Sequence, residues 1–222
     1  MSASEPVWES FAQDAPYWYV DMAHDGDMDR FWREGRRTAH HLLEHARPHL
    51  QGTRRVVEIG CGVGRVLLPL AEHFDRAVGV DVAPTMRRLA RKHAEERDLP
   101  VRVVEPSADW DGAGTDLVVS HITFRHIDQW SVIDSYIRRT QRTLNSSGVA
   151  VLGFDTRPRS VLYRVRNALP DLLLPKAWRR GARGIRRPPD VIRSALSEAN
   201  LSIVDEIDRR SAHHTFVAVH SE

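Results

Sequence analysis

Ten residues, Val56-Val57-Glu58-Ile59-Gly60-Cys61-Gly62-Val63-Gly64-Arg65, join an apolar β-type run to three alternating glycines and then to a helical pattern. They read as strand, tight loop and helix. Glycine at every second position lets the backbone turn sharply and lets a ligand approach without meeting a Cβ, while the start of the helix presents free N–H groups. The cradle is of nucleotide size. A phosphate-binding dinucleotide loop needs G-x-G-x-x-G, whose last position falls on Arg65, and a Walker loop needs a Gly-Lys-Ser/Thr ending that is absent. A ligand without phosphates is expected at the loop. The next β-type run, Ala77-Val78-Gly79-Val80-Asp81, ends in an acid seventeen positions after Gly64, which leaves room for one helix (65–73) and a strand. Further on, His121 and His126 flank the end of the run Thr115-Asp116-Leu117-Val118-Val119-Ser120-His121. With an unperturbed pKa of about 6.5, histidine is the side chain suited to accept a proton at neutral pH.

The pattern E-x-G-x-G-x-G followed by an acid at the end of the next strand resembles the first two motifs of class I S-adenosylmethionine-dependent methyltransferases. That resemblance implies an α/β, Rossmann-like, doubly wound sheet of seven strands, mostly parallel with an antiparallel last strand. It implies an enzyme with S-adenosyl-L-methionine as cofactor, held by Glu58, Gly60, Cys61, Gly62, Gly64, Arg65, Asp81 and Val82. Asp81 would accept hydrogen bonds from the two ribose hydroxyls, and Glu58 would help hold the loop and the methionine amino group. After the third strand (101–104), an acid in the loop 105–114 bonds adenine in related enzymes. Asp109 and Trp110 are the candidates, although Asp109 lies several residues past the strand and Ser107 or Ala108 can occupy that place. Trp110 either covers adenine or packs in the core. Ser120, at the carboxyl end of the fourth strand, completes the expected cofactor set.

A more specific resemblance rests on a Pro-Tyr-Trp start (Pro16, Tyr17, Trp18), a Phe-Trp-x-x-Gly stretch (Phe31, Trp32, Gly35) and the run from Ser120 to Asp128. Together they look like a bacterial small-molecule or glycan methyltransferase subfamily (type 11/25-like) found near glycan and natural-product biosynthesis genes. Arg125 departs from its usual Gln or His, and no proline precedes Asp128.

Composition sets outer bounds. At 222 residues the chain suits one α/β domain plus a small cover, and its net charge is +2. Its basic residues are nearly all arginine, Lys92 and Lys176 being the lysines, which reflects coding bias rather than a nucleic-acid partner. The single cysteine, Cys61, excludes an intramolecular disulfide and reads as packing. The polar, acidic start has no signal-peptide character and no apolar run is long enough to span a bilayer, so a soluble, cytoplasmic protein is expected.

Residues 1–50 form an aromatic and helical cover, and 51–222 the methyltransferase domain. Asp27 is placed to cap a helix over 28–46 that Pro48 stops, with Phe31, Thr38, Leu42 and Leu43 as its stripe. The cluster Tyr17-Trp18-Tyr19 either packs the arm on the domain or walls the cofactor or acceptor. Pro84 opens a helix, Asp128 caps another over 129–144, and 145–148 turns into the fifth strand, 149–154. A helix over 189–199 and strands 201–207 and 215–220 close the chain. His213-His214 reads as a solvated hairpin pair rather than a metal site.

Between 156 and 189 a lid-like insertion carries ten basic residues (Arg157, Arg159, Arg164, Arg166, Lys176, Arg179, Arg180, Arg183, Arg186, Arg187) against one acid, Asp171. Val161, Leu162, Val165, Leu169, Leu172 and Leu173 recur within it at helical spacing. Three readings stand: a packed helix with solvated arginines, a surface for an anionic acceptor, or transient docking on an anionic membrane.

Methyl transfer to a hydroxyl also removes a proton, which assigns the catalytic role to His121 or His126. The metal-dependent alternative wants carboxylates where this chain has Ser120-His121, so a metal-independent O-methyl transfer to a small-molecule or glycan acceptor is expected, with no metal site. N-methylation of a small amine, or cofactor binding without turnover, are the alternatives. The Asn/Asp-Pro-Pro-aromatic signature that holds a flipped base is missing, which argues against a nucleic-acid acceptor. Sequence leaves the oligomeric state open.

Overall fold

A computed structural model describes residues 5–21, 26–110, 112, 114–174 and 183–221. Among them, seven strands form one sheet: β1 (Arg55–Ile59), β2 (Arg76–Val80), β3 (Val101–Val104), β4 (Thr115–Ser120), β5 (Leu144–Phe154), β6 (Leu201–Ile207) and β7 (His214–His220). Their order is β3-β2-β1-β4-β5-β7-β6, and β7 runs antiparallel to both of its neighbours while the other pairs are parallel. This is the expected doubly wound sheet. The chain moves outward from β1 to β3 and then returns to β4 beside β1, so the direction of winding reverses between β1 and β4. Open parallel sheets bind ligands at such a reversal, beyond the carboxyl ends of the strands.

Strands covered on both faces must be apolar on both, and β1 is buried from Val56 through Ile59. Alternation sends Val57, Ile59, Val118, Ala150 and Phe216 to one face and Val56, Leu117, Val149, Val151 and Val217 to the other. Helices α6 (Trp130–Thr143) and α8 (Pro189–Glu198) cover the first face through Ile133, Tyr136, Ile137, Ile192 and Leu196. On the second lie α3 (Met28–Ala46), α4 (Leu67–Ala71) and α5 (Pro84–Glu95), through residues such as Leu42, Leu67 and Ala90.

Asp27 caps α3 as expected, its carboxylate accepting from the Arg30 N–H at 2.9 Å. Ala39, Leu42, Leu43 and Ala46 pack in the same core as Val56, so residues 28–46 are part of the sheet's packing. The cover proper is α1 (Glu5–Asp14) and α2 (Pro16–Val20). Glu9 on α1 accepts from the Thr85 N–H and Oγ at 2.9 and 2.7 Å, satisfying free donors at the start of α5. Trp8, Ala12, Tyr17 and Val20 pack with Phe31, Val63 and Met86 directly above the glycine loop.

Several boundaries differ from expectation for local reasons. Asp128 does not cap α6: the N-cap is Gln129, without a side-chain bond, and the Arg187 guanidinium ties down the preceding backbone through the carbonyls of Ile127 and Asp128. The helix after the glycine loop shrinks to Leu67–Ala71, since Gly64 to Val66 are still turning. Strand β5 begins at Leu144, which pairs with Thr115, and the pairing resumes at Val149 opposite Leu117, so the expected turn at 145–148 is an irregularity inside the strand, tightened by the Ser147 N–H on Asn145 Oδ1 at 2.9 Å. No described helix is long and apolar enough to cross a membrane.

Candidate active site

The loop after β1 turns through positive φ at Gly60 (76°) and Gly62 (53°). A Cβ at Gly60 would collide with the Thr123 side chain, whose hydroxyl donates to the Ile59 carbonyl at 3.1 Å. Thr123 thus ties the β4 end to the β1 end across the winding reversal. The Gly62 N–H donates to Asp81 Oδ2 and the Ala83 N–H to Oδ1, both at 2.9 Å. One lone-pair direction remains on each Asp81 oxygen, facing the cavity, which suits two adjacent hydroxyls.

Glu58, only 4% exposed, lines the same cavity, and its Oε2 has no partner. Burial, with the nearby Asp81 charge adding, pushes its carboxyl up to about 8, against the pull of Arg65 and the Leu67 N–H. An orphaned buried carboxylate beside a ribose-ready aspartate fits a ligand with a hydroxylated ring and a cationic amino group. Burial also raises Asp81 above the usual carboxylate range. Cys61 is raised well above the usual thiol value by burial and by Asp81 and Glu58, so it stays a thiol that packs against Gly79.

The cavity, of about 620 Å³, is lined by Glu58, Gly60, Cys61, Gly62, Arg65, Asp81, Val82, His121 and His126 of the expected set. Gly64 turns the chain behind this wall, its N–H donating to the Cys61 carbonyl. Ser120 is fully buried, and its hydroxyl, without a partner, is not in the lining. Arg65 holds Asp21 of the arm at 2.7 Å and its guanidinium lies 5.4 Å from the Phe31 ring centre, which clamps the cover above the glycine loop.

Two expected adenine contacts sit elsewhere. Trp110 is fully buried in the core, with the Arg139 guanidinium 4.1 Å from its ring centre and its indole N–H on the Pro106 carbonyl. It braces the loop from behind. The Asp109 side chain is exposed and outside the cavity wall, which Pro106 and Ser107 supply instead. The shift toward Ser107 follows from the loop's length: Trp110 dives into the core and leaves the residues nearer β3 at the wall.

Also in the cavity wall, His121 stacks on His213, ring centres 5.6 Å apart. Burial, then His213, Arg65 and Arg125, lowers it to about 3. It is neutral throughout the physiological range. His126 lies edge-on to Trp8 at 5.3 Å, on the short 3₁₀ turn Thr123–His126.

Of the pair His213-His214, His213 sits exposed on the hairpin turn as expected, but His214 does not. His214 is 1% exposed in β7, held by Thr156 Oγ1 at 2.8 Å and Glu206 at 3.2 Å and stacked on Phe216. Its phase with Phe216 and Ala218 was the available signal. Also in the wall are Trp8, Tyr19 and Val20 of the arm, and Ser135, Tyr136 and Arg139 of α6. Nothing in the period of α6 singled these out. Among the described residues no group of three or more His, Cys, Asp or Glu could hold a metal ion.

A protein family described as a methyltransferase domain matches residues 56–148. The chain is 32% identical over 130 residues to a ubiquinone biosynthesis O-methyltransferase of Methylobacterium sp. (strain 4-46), covering 51% of this chain and 52% of the relative. An S-adenosyl-L-methionine-dependent Diels-Alderase of Talaromyces variabilis is 39% identical over 79 residues, 30% of this chain and 27% of its own. The chain thus spans about half or less of the length of these two relatives. In fold it is similar to the crystal structure of magnesium protoporphyrin IX methyltransferase from Synechocystis PCC 6803 with bound SAH, at a TM-score of 0.69 and 19% identity, covering 98% of this chain and 100% of that one.

Proposed function

We propose that this chain, whose residues 56–148 match a methyltransferase domain, is a class I S-adenosylmethionine-dependent methyltransferase that methylates a hydroxyl of a small-molecule or glycan acceptor without a metal. One observation carries the reading: the buried, unpartnered Glu58 carboxyl and Asp81 share a cavity with two histidines. When bound, the cofactor supplies an electrophilic methyl group. Glu58 neutralises an ammonium, Asp81 takes two hydroxyls, Ser107 and Pro106 border a flat ring, and the arm above Arg65 excludes water.

At the acceptor end the two histidines divide the work. A base works best with a pKa near the operating pH, and His121, lowered to about 3, is too weak to draw a proton at pH 7. His126 is therefore assigned the proton, while neutral His121 orients the acceptor through the ring nitrogen that lacks a protein partner. Positioning of this kind is worth about 7–11 kcal/mol where a displacement needs mainly alignment. The O-methyltransferase names of similar proteins support a hydroxyl acceptor.

The test is labelled cofactor with pools of phenols, glycans and glycolipids, with and without EDTA. Label moving to a hydroxyl with EDTA present supports the proposal, and transfer only to amines or only with added metal overturns it. A second reading, cofactor-dependent reaction without methyl transfer, is favoured by the similarity to a protein named as a Diels-Alderase. Product formation with no demethylated cofactor would favour it.

A further inference from the structure

We propose that α7 (Val161–Ala168) and the 3₁₀ turn Asp171–Leu173 are a docking surface for an anionic lipid bilayer. Six large apolar side chains lie exposed here in thirteen residues: Val161, Leu162 (78%), Val165, Leu169, Leu172 (88%) and Leu173. Among the described residues the other exposed large hydrophobics, Val7, Val191 and Val204, are scattered singly, which is ordinary. A cluster of this size on one short segment needs an occupant.

The arrangement on the helix is directional. At about 100° per residue, Val161, Val165, Leu169 and Leu162 fall within about 100° of one another. Arg164 borders that stripe on one side, while Arg166, past its other edge, turns back onto Tyr163 with its guanidinium 5.5 Å from that ring centre. On the opposite side, Tyr163 is buried, and its hydroxyl accepts from the Arg186 N–H while the Arg186 guanidinium lies 4.6 Å from its ring centre. The helix is thus anchored by Tyr163 with its apolar stripe turned to solvent and its cations alongside. This is how a helix lies in a membrane interface, apolar face down and arginines at the headgroups.

Charge selects the occupant. The segment from 156 to 189 has ten basic residues and one acid. A second copy of this chain would meet the patch through a self-complementary contact, bringing arginine rims of like sign together at a cost. An anionic leaflet satisfies the stripe and the rim at once. Of the ten, Lys176, Arg179 and Arg180 lie outside the described residues, Arg157 is paired with Asp155, and Arg187 is buried on the Ile127 and Asp128 carbonyls; the proposed face uses none of these five.

The surface is also tied to the cavity. The returning strand of chain donates the Ile185 N–H to the Arg125 carbonyl at 2.7 Å, and Arg187 donates to the Ile127 carbonyl at 2.6 Å. Both carbonyls belong to the turn that carries His126 and its continuation in the cavity wall. Docking would set the acceptor end of the cavity beside the bilayer, favouring an acceptor with a lipid portion.

Sedimentation of the full chain with vesicles tests the surface without cofactor or acceptor, so its outcome is independent of the transferase reading. The protein is expected to pellet with phosphatidylcholine vesicles containing phosphatidylglycerol, not with phosphatidylcholine alone, and less as salt rises. Leu162→Ser with Leu172→Ser should cut the bound fraction at least about tenfold, as loss of two buried leucine side chains requires. Arg164→Gln should cost about fivefold. Both leucines are exposed, so an unchanged melting temperature should show that the double variant is folded. No pelleting with the anionic vesicles overturns the proposal, as does pelleting that the leucine substitutions leave untouched. A dimer that those substitutions dissociate, without vesicle binding, would assign the face to a second copy and overturn it too.

Discussion

Replacing Glu58 with glutamine should abolish a proton release that accompanies cofactor binding. In the free protein, burial and the Asp81 charge raise the Glu58 carboxyl to about 8, so at pH 6.5 about 97% of the molecules hold it protonated. Arrival of an ammonium beside its unpartnered Oε2 favours the carboxylate, and the proton leaves. Calorimetric titration of S-adenosylhomocysteine at pH 6.5 in phosphate and in Tris, which differ in ionisation enthalpy, reads that proton directly. The ligand's own α-amino group, more basic than a peptide N-terminus, stays charged at this pH. The expected release is close to one proton for the wild type and near zero for Glu58→Gln, and wild-type affinity should rise about tenfold per pH unit until about 8. The free fold carries the complementary signature. A carboxyl raised from 4.5 to about 8 contributes stability that is fully present below about 4.5 and is lost as pH rises through about 8, an effect on the order of 5 kcal/mol. Denaturant unfolding of Glu58→Gln should therefore depend less on pH over that window. Equal heats in the two buffers for the wild type would refute the reasoning, because they would mean that no group near the ligand changes protonation.

Three further outcomes follow from the same geometry. Asp81→Ala should weaken S-adenosylhomocysteine binding by about 1.5–3 kcal/mol per lost charge-assisted bond, read by calorimetry, and should also loosen Gly62 and Ala83, whose N–H groups lose their acceptor. With an acceptor in hand, His126→Ala should lower kcat by a factor of about 10²–10⁴ while cofactor affinity holds, whereas His121→Ala should act mainly on KM. Equal kcat losses in both would reverse the assignment of the base. Cys61, buried and held as a thiol, should resist alkylation in the folded chain at pH 8 and react on denaturation, as mass spectrometry would record.

The parts of the site built from backbone were legible in the sequence. Alternating glycines, Glu58 and Asp81 specify their own surroundings, because a positive φ and a strand-end acid leave little freedom for a different local structure. The seven-stranded, mostly parallel sheet was what the resemblance of that motif implied; the strand order came from the fold. What escaped were contacts decided by packing between distant segments. Trp110 offers an aromatic face that either a ligand or Arg139 could cover, and only the fold shows that Arg139 does so. Asp128 looked like a cap, but the helix starts one residue later, after a stretch that Arg187, fifty-nine residues on, holds by its backbone carbonyls. His121 gives no sign in sequence of the desolvation that makes it a poor base, since its neighbours His213 and Arg125 come from other elements. The arm's wall residues, Trp8 and Tyr19, were half legible: their density demanded burial without naming a partner.

The central claim is that the loop between β1 and α4 is a nucleoside and amino-acid cradle rather than a phosphate site. Titrating the full chain with S-adenosylhomocysteine, NAD and ATP under identical conditions tests it most directly. Saturable heat at one site is expected for S-adenosylhomocysteine, reduced in Asp81→Ala, and none for NAD or ATP. Saturable binding of NAD or ATP, with no heat from S-adenosylhomocysteine, would contradict it.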